Sequence, residues 1–122
     1  MTPRFTAAAV FLLACSTVTG IADTTGDARR GETLYQQKCK ACHSVDDNST
    51  GPRHKDVFGR RAGTVSDYRY SLALEDQDFT WNEQTLDAWL ADPSALVAGN
   101  LMGMSVQSAQ DRQDLIAYLK TL

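Results

Sequence analysis

An all-α fold is the class that this sequence predicts. Three segments combine an N-cap residue with apolar residues at helical spacing, and they begin after Asp27, Asn82 and Ser108. The stretches between them are rich in glycine, asparagine and aspartate and lack the apolar-polar alternation of a half-buried strand. We therefore expect helices joined by irregular loops.

The first helix is predicted to run from Arg29 to about Lys40. Asp27 precedes it as the N-cap, and Leu34 and Tyr35 lie on one stripe of its surface. Cys42 follows just past its end. A cysteine there lies beside the terminus of a helix that packs against the rest of the domain.

A long loop is predicted next, from Asp46 to Thr64. This segment contains one proline, is rich in Asp, Asn, Gly and Arg, and shows no sustained period. A loop of this length in a small domain needs an object to pack against. A short helical turn is expected within Tyr68 to Leu74.

The second clear helix is predicted to begin at Asn82, its N-cap, and to stop at Pro93. Its inward-facing residues are Leu86, Trp89 and Leu90. From Ser94 to Val106 the chain is again predicted to be irregular, and this stretch contains two methionines.

The last helix is predicted from a capping box formed by Ser108 and Asp111. Its apolar residues follow the i, i+3, i+4, i+7 pattern and are Leu115, Tyr118, Leu119 and Leu122. This pattern places one apolar stripe toward the core. The whole chain is short enough for a single domain.

Residues Met1 to Ala22 have the layout of an export signal. They carry one positive charge, at Arg4, no acidic residue and an apolar run. Two cleavage sites remain open: after Ala22, which gives a soluble chain, or before Cys15, because Leu12 to Cys15 resembles a bacterial lipobox. An uncleaved signal anchor is a further alternative. With any of these alternatives, the folded domain is expected to comprise residues 23–122.

The charge of the chain excludes one class of partner. Its 12 Lys and Arg residues face 15 Asp and Glu residues, for a formal net charge of −3. A nucleic-acid-binding domain normally carries a basic surplus. We expect no nucleic-acid partner.

The most specific motif is Cys39-Lys40-Ala41-Cys42-His43, at the end of the first predicted helix. Two thiols at this spacing can bond the vinyl groups of a haem, and the adjacent imidazole can reach the iron. A thioredoxin-like redox pair and half of a zinc site also use Cys-x-x-Cys. The chain lacks the strand-helix-strand context of a thioredoxin. It also lacks the second Cys/His cluster that would complete the four ligands of a zinc site. We therefore predict one covalent haem c held by Cys39 and Cys42, with His43 as an axial ligand.

Further motifs follow this one in a characteristic order. Together with Gly31 and Tyr35 they are Gly51-Pro52, Val57 to Gly63, Tyr68 to Ser71, Thr80-Trp81, Thr85-Leu86, Asp92-Pro93, Gly99 to Met102, and Asp114 to Lys120. In this order they resemble the class I cytochrome c family, in the branch of mitochondrial cytochrome c and bacterial cytochrome c2. The resemblance runs nearly end to end.

The resemblance implies a small cytochrome c fold in which the N- and C-terminal helices cross near Gly31 around a covalent haem. It also implies that the carbonyl group of Pro52 accepts the Nδ1 proton of His43. By the same resemblance, the residues that enclose the haem and its propionates are Arg60, Tyr70 and Trp81, with Trp89 packed over the haem.

The second axial ligand implied by the resemblance is Met102, with Met104 as the alternative. The family commonly has Pro-Gly before this ligand and Lys beside it, whereas this chain has Ala98-Gly99 and Leu101. These departures predict a looser loop. His54 is expected on the His43 side of the haem, facing solvent or the propionates, and not as a ligand.

These residues imply a carrier of single electrons between redox protein partners in the bacterial periplasm. Two filled axial positions leave no open site for a substrate, so the protein is expected not to be an enzyme. It is also expected to be a monomer. One alternative is a peroxidase-like or ligand-binding haem protein with a labile methionine ligand. Another is a cytochrome subunit of a larger redox complex, anchored to the membrane through lipidated Cys15.

Overall fold

A computed structural model describes residues 1–3 and 25–122 of the chain. The helices in this part are α1 (Ala28–Lys38), α2 (Leu72–Glu75), α3 (Glu83–Ala91), α4 (Pro93–Leu96) and α5 (Ala109–Leu119). The predicted cleavage positions and Cys15 lie outside the described residues. Within the described ranges, no helix combines the length and the hydropathy that crossing a bilayer requires.

The all-α prediction is confirmed. Outside its helices, the described part of the chain contains one isolated β-bridge, between Arg61 and Thr80, and no strand. The long segment from Asp46 to Thr64 forms neither helix nor strand, as the sequence predicts. The positions of the helices therefore depend on packing between helices and loops.

Helix α1 begins at the predicted N-cap. The carboxylate of Asp27 accepts hydrogen bonds from the backbone N–H groups of Arg29, at 2.8 Å, and Arg30, at 3.3 Å. The helix ends at Lys38, two residues before the predicted end, because the chain turns at Cys39. The N–H group of His43 then donates to the carbonyl group of Cys39 at 2.9 Å, which closes a turn around the Cys-x-x-Cys-His motif.

Helices α1 and α5 cross at Gly31. A Cβ atom at this position would collide with the backbone carbonyl oxygen of Asp114 and lie 2.8 Å from Cβ of Tyr118. Glycine is therefore required by the close approach of two backbones. Tyr35, one turn further along α1, packs its ring against that of Tyr118 with centroids 5.2 Å apart.

Asp114 is a buried charged residue at the same crossing. Its side chain is 0% exposed, and Oδ1 accepts hydrogen bonds from the backbone N–H of Asp27, at 2.8 Å, and from Nε2 of Gln110, at 3.0 Å. Oδ2 has no hydrogen-bond partner but lies 3.3 Å from Nη2 of Arg30. One carboxylate of α5 therefore holds the start of α1.

Replacing Asp114 by alanine is expected to lower the free energy of unfolding by roughly 2 kcal/mol, because the N–H of Asp27 loses a partly buried hydrogen bond to a fully buried carboxylate. Denaturant unfolding measures this change. Asp111→Ala is the matched control, since Asp111 is a more exposed carboxylate on the same helix, 3.8 Å from Arg30. Equal losses in the two variants would contradict the proposed role of Asp114 in holding α1.

Three details differ from the sequence prediction. Helix α4 occupies Pro93–Leu96, whereas the sequence predicts a helix stop at Pro93 and an irregular stretch from Ser94. Proline suits the first helical position, and the carboxylate of Asp92 accepts from the N–H groups of Ser94 and Ala95, both at 3.1 Å. Helix α2 begins later than expected, after its N-cap Ser71. In α5, Ser108 accepts from the N–H of Asp111 at 3.2 Å, but the reciprocal half of the capping box is not formed.

The core lies between α1, α3, α5 and the long loops. The predicted inward-facing residues of α3 are all buried, and its capping box joins Asn82 to Thr85. In α5, Leu115 and Leu119 are buried as predicted. Ile116 is also buried, at 2% exposure, whereas Tyr118 and Leu122 are only partly buried. The buried face of α5 is therefore wider than one stripe because it contacts both α1 and α3.

Candidate functional site

An apolar cavity of about 370 Å³ lies in this core. Among its apolar lining residues are Val57, Leu74, Leu86, Leu90, Leu115 and Leu119. The structure also brings every site residue that the sequence predicts to this cavity: Cys39, Cys42, His43, Pro52, Arg60, Tyr70, Trp81, Trp89, Met102 and Met104. Residues from the two ends of the domain therefore line one space.

The two cysteines stand at the end of α1. Both are free thiols; Cys39 is partly buried and Cys42 is exposed. Burial raises the pKa of the Cys39 thiol to about 11, although nearby Lys38 opposes this shift. Burial therefore does not activate Cys39 as an attacking thiolate, which a redox-active Cys-x-x-Cys pair requires of one of its two thiols.

His43 presents one defined nitrogen for ligation. Its Nδ1 lies 2.8 Å from the carbonyl oxygen of Pro52, and because a carbonyl only accepts, Nδ1 must carry the proton. In the neutral ring the lone pair is then on Nε2, which is the nitrogen available to a metal ion. Burial lowers the pKa of His43, while the bond to Pro52 opposes that shift.

Two neighbours hold the ring of His43. A Cβ atom at Gly51 would lie 2.5 Å from Nδ1 and 2.7 Å from Nε2, so only glycine fits beside this ring. The ring of His54 stacks on that of His43, with centroids 4.0 Å apart and an angle of 20° between the planes. The orientation of His43 is thus restrained at its edge and across its face.

His54 does not face solvent, contrary to one of the two predicted orientations. Its Nδ1 lies 2.9 Å from the hydroxyl oxygen of Tyr35, and its ring is packed against His43. Burial, followed by the proximity of His43 and Arg60, lowers the pKa of His54 to about 3. The sequence offers no local signal for this arrangement, because Tyr35 and His54 belong to different segments.

Arg60 lines the cavity, and one of its three side-chain nitrogen atoms has no hydrogen-bond partner. Its Nη1 and Nη2 atoms donate to the carbonyl oxygens of Lys55 and Arg53, both at 3.1 Å. Its Nε is buried and has no hydrogen-bond partner within the described chain. Near it, the hydroxyl oxygen of Tyr70 accepts from the N–H of Val65 at 3.2 Å. A buried unpaired donor at this end of the cavity fits an acidic group there.

The two tryptophans form an aromatic wall. Trp81 is 6% and Trp89 is 9% exposed, and their rings meet edge to face with centroids 5.3 Å apart. Phe79 packs on Trp81 at 4.9 Å in the same manner. This arrangement supplies rigid apolar surface to the cavity.

Asn100 supports the loop that carries Met102 beside the cavity, a role that the sequence motifs do not predict. Its Oδ1 accepts from the backbone N–H of Met102 at 2.8 Å, and its Nδ2 donates to the carbonyl oxygen of Val97 at 2.8 Å. The Asn100 side chain thus braces the loop around Met102, in which Leu101 is 84% exposed. An asparagine two residues before the methionine is the signal that could have revealed this Asx turn.

These residues fit a covalently attached haem. The cavity is apolar, two thiols stand at one edge of it, and Nε2 of His43 and two thioethers supply nitrogen and sulfur donors. The unpaired Nε of Arg60 supplies a donor for a propionate. The fold and this donor set together define a small all-α haem-binding protein.

Comparison with known proteins agrees with this class. A family model for cytochrome c matches residues 28–122. The chain therefore belongs to the cytochrome c family, as its motifs predict, and its cofactor is a covalently bound haem c. Proteins of this family transfer electrons to and from redox partners.

Two relatives and one solved structure show how far the similarity extends. Cytochrome c-type cyt cy of Rhodobacter capsulatus is 41% identical over 103 residues, which are 83% of this chain and 52% of that protein. Cytochrome c2 iso-2 of Magnetospirillum molischianum is 42% identical over 99 residues, which are 79% of this chain and 98% of that protein. The structure of cytochrome cH from Methylobacterium extorquens has a TM-score of 0.76 at 40% identity and covers 80% of this chain and 100% of its own.

Proposed function

We propose that this chain is an exported monohaem electron carrier in which His43 and Met102 are the permanent axial ligands of the iron. The observation that carries this proposal is that both residues line the same cavity as the two haem-attaching cysteines. Bound haem supplies one-electron redox chemistry at the iron. The protein contributes two fixed ligands and an apolar enclosure that excludes water.

The proposed role of the chain around the haem is to hold it in one orientation. Cys39 and Cys42 fix one edge by thioether bonds, and Pro52 fixes the ring plane of His43. Arg60 is proposed to donate to a propionate through its unpaired Nε, with Tyr70, Trp81 and Trp89 enclosing the ring. Rigid ligands limit rearrangement when the charge of the site changes, which favours rapid electron transfer.

The same ligand set supports a carrier over an enzyme. An iron with both axial positions filled by His43 and Met102 has no open position for a substrate or for a small ligand. Carbon monoxide tests this directly. We expect the reduced protein to bind carbon monoxide slowly and incompletely at neutral pH, and rapid, complete binding would favour the peroxidase-like or ligand-binding alternative.

The hydrogen bond from the N–H of Met102 to the side chain of Asn100 leads to a separate prediction. In Asn100→Ala the backbone N–H of Met102 loses its acceptor, so we expect a weaker iron–sulfur bond, a smaller long-wavelength methionine band in the ferric spectrum and faster carbon monoxide binding. Asn100→Asp is the matched control, because it keeps an oxygen acceptor for Met102. An unchanged band in Asn100→Ala would show that the brace does not support ligation.

Export is proposed from residues Met1 to Ala22, and the intact mass of the mature protein tests it. Cleavage after Ala22 leaves an unmodified N-terminus. The lipobox route leaves Cys15 as the N-terminal residue with lipid groups attached to it, and either mass also includes the haem. Fractionation of a Cys15→Ser variant then tests whether the protein is anchored to the periplasmic side of a membrane. An intact N-terminal segment in the mature protein would contradict both cleavage proposals.

The proposed partners are an electron donor and an electron acceptor, both proteins, and the chain is proposed to meet them as a monomer. Co-purification from membranes of wild-type and Cys15→Ser protein distinguishes a free carrier from a subunit of a larger redox complex. Loss of a stable complex in the Cys15→Ser protein alone would favour the anchored subunit.

A further inference from the structure

We propose that His54 is a positioning residue for the iron ligand His43 and that the hydroxyl group of Tyr35 fixes His54 in that role. The three side chains form a continuous series from the α1–α5 crossing to the haem site. This inference rests on the proposed ligation of iron by His43. It concerns the orientation of that ligand and the reduction potential of the haem.

The contact between the two imidazoles is a face-to-face stack. Their centroids lie 4.0 Å apart and their planes are inclined by only 20°. The backbone keeps them together, because the N–H of His54 donates to the carbonyl oxygen of Ser44, the residue after His43, at 3.0 Å. A rotation of the His43 ring about its iron-directed axis would therefore break this parallel contact.

Tyr35 provides the fixed end of the series. Its side chain is 1% exposed, its ring packs on Tyr118 of α5, and its hydroxyl oxygen lies 2.9 Å from Nδ1 of His54. An interior hydrogen bond of this kind is costly to leave unmade, so the His54 ring is restrained against turning. The core of the domain thereby restrains the plane of the iron ligand without touching the iron.

The stack also has an electrostatic consequence. Oxidation of the iron makes the His43 ring more positive, and the face of an aromatic neighbour stabilises positive charge. Replacing the His54 ring by an aliphatic side chain removes that stabilisation from the oxidised form more than from the reduced form. We therefore expect the reduction potential to rise in His54→Leu, with a change of about twofold to fivefold in the ratio of oxidised to reduced protein at a fixed applied potential.

The test uses the haem-loaded protein and two readouts: the reduction potential and the paramagnetic NMR shifts of the haem methyl groups, which report the plane of an axial imidazole. His54→Leu and Tyr35→Phe are expected to change both, Tyr35→Phe by less. Tyr118→Phe is the matched control, because it removes a hydroxyl from the ring that packs on Tyr35. A double variant of Tyr35 and His54 is expected to be non-additive.

Each outcome of this test decides the inference. If the potential and methyl shifts of His54→Leu and Tyr35→Phe change no more than those of Tyr118→Phe, then His54 only fills space, even where stability falls. If His54→Leu does not fold, Tyr35→Phe decides alone, since it keeps both imidazoles. If the wild-type spectrum shows no histidine–methionine ligation, the proposed function fails. If the wild type shows that ligation and the variants keep its reduction potential and methyl shifts, only this inference fails.

Discussion

Replacing Gly31 by alanine is expected to lower the free energy of unfolding by about 3 kcal/mol or more. The added Cβ atom would meet the backbone carbonyl oxygen of Asp114, which no side-chain rotation can relieve. Helices α1 and α5 would have to separate, and the contact between Tyr35 and Tyr118 would be lost with them. Denaturant unfolding of the haem-loaded protein measures the effect.

The sign of this result is diagnostic. In the interior of an exposed helix, the change from glycine to alanine stabilises the helix by about 1 kcal/mol. A loss of stability in Gly31→Ala would therefore show that the close helix crossing outweighs the higher helix propensity of alanine. Gln36→Ala, at an exposed position of the same helix, is the control and is expected to stay within about 0.5 kcal/mol of the wild type. A Gly31→Ala variant as stable as this control would show that the helices do not cross closely in solution.

The second large effect is expected from Met102→Ala. Loss of the thioether should abolish the long-wavelength methionine band of the ferric protein, lower the reduction potential by on the order of 0.1 V or more, and open the iron to carbon monoxide. Met104→Ala is the matched control, because Met104 is the other methionine of the same cavity. It should retain the band and the slow binding of carbon monoxide.

The opposite pattern would reassign the ligand. If Met104→Ala loses the band and Met102→Ala retains it, the loop is shifted by two residues around Gly103, and the brace from Asn100 to Met102 does not position the iron ligand. If neither variant loses the band, the second ligand lies elsewhere, and the proposed electron carrier has a different ligand set.

Much of the fold was predictable because its signals are local. Asp27, Asn82 and Ser108 each cap the helix that the sequence assigns to them, since a cap bonds to backbone groups two or three residues away. Helix α4 was missed because its pattern is only four residues long. Its signals, Asp92 and Pro93, also suit the end of α3, so the local pattern does not separate the two helices.

The haem motif could also be predicted from local sequence, but only some of the contacts around His43 could. The bond from His43 to Pro52 follows from the resemblance to the cytochrome c family, and the structure shows it. The stack of His54 and the Asn100 brace did not follow. The position of His54 depends on Tyr35, 19 positions earlier. The hydrogen bond from Met102 to Asn100 lies in a segment without periodicity, where the sequence pattern predicts no structure.

The all-α class, the capped ends of three helices and the predicted haem motif follow from the sequence alone, because each depends on residues a few positions apart. The burial of Asp114 against the start of α1, 87 positions away, and the stack of His54 on His43 become visible only in three dimensions. Burial and ring orientation depend on which distant segments share one core. Near neighbours along the chain carry no record of that packing.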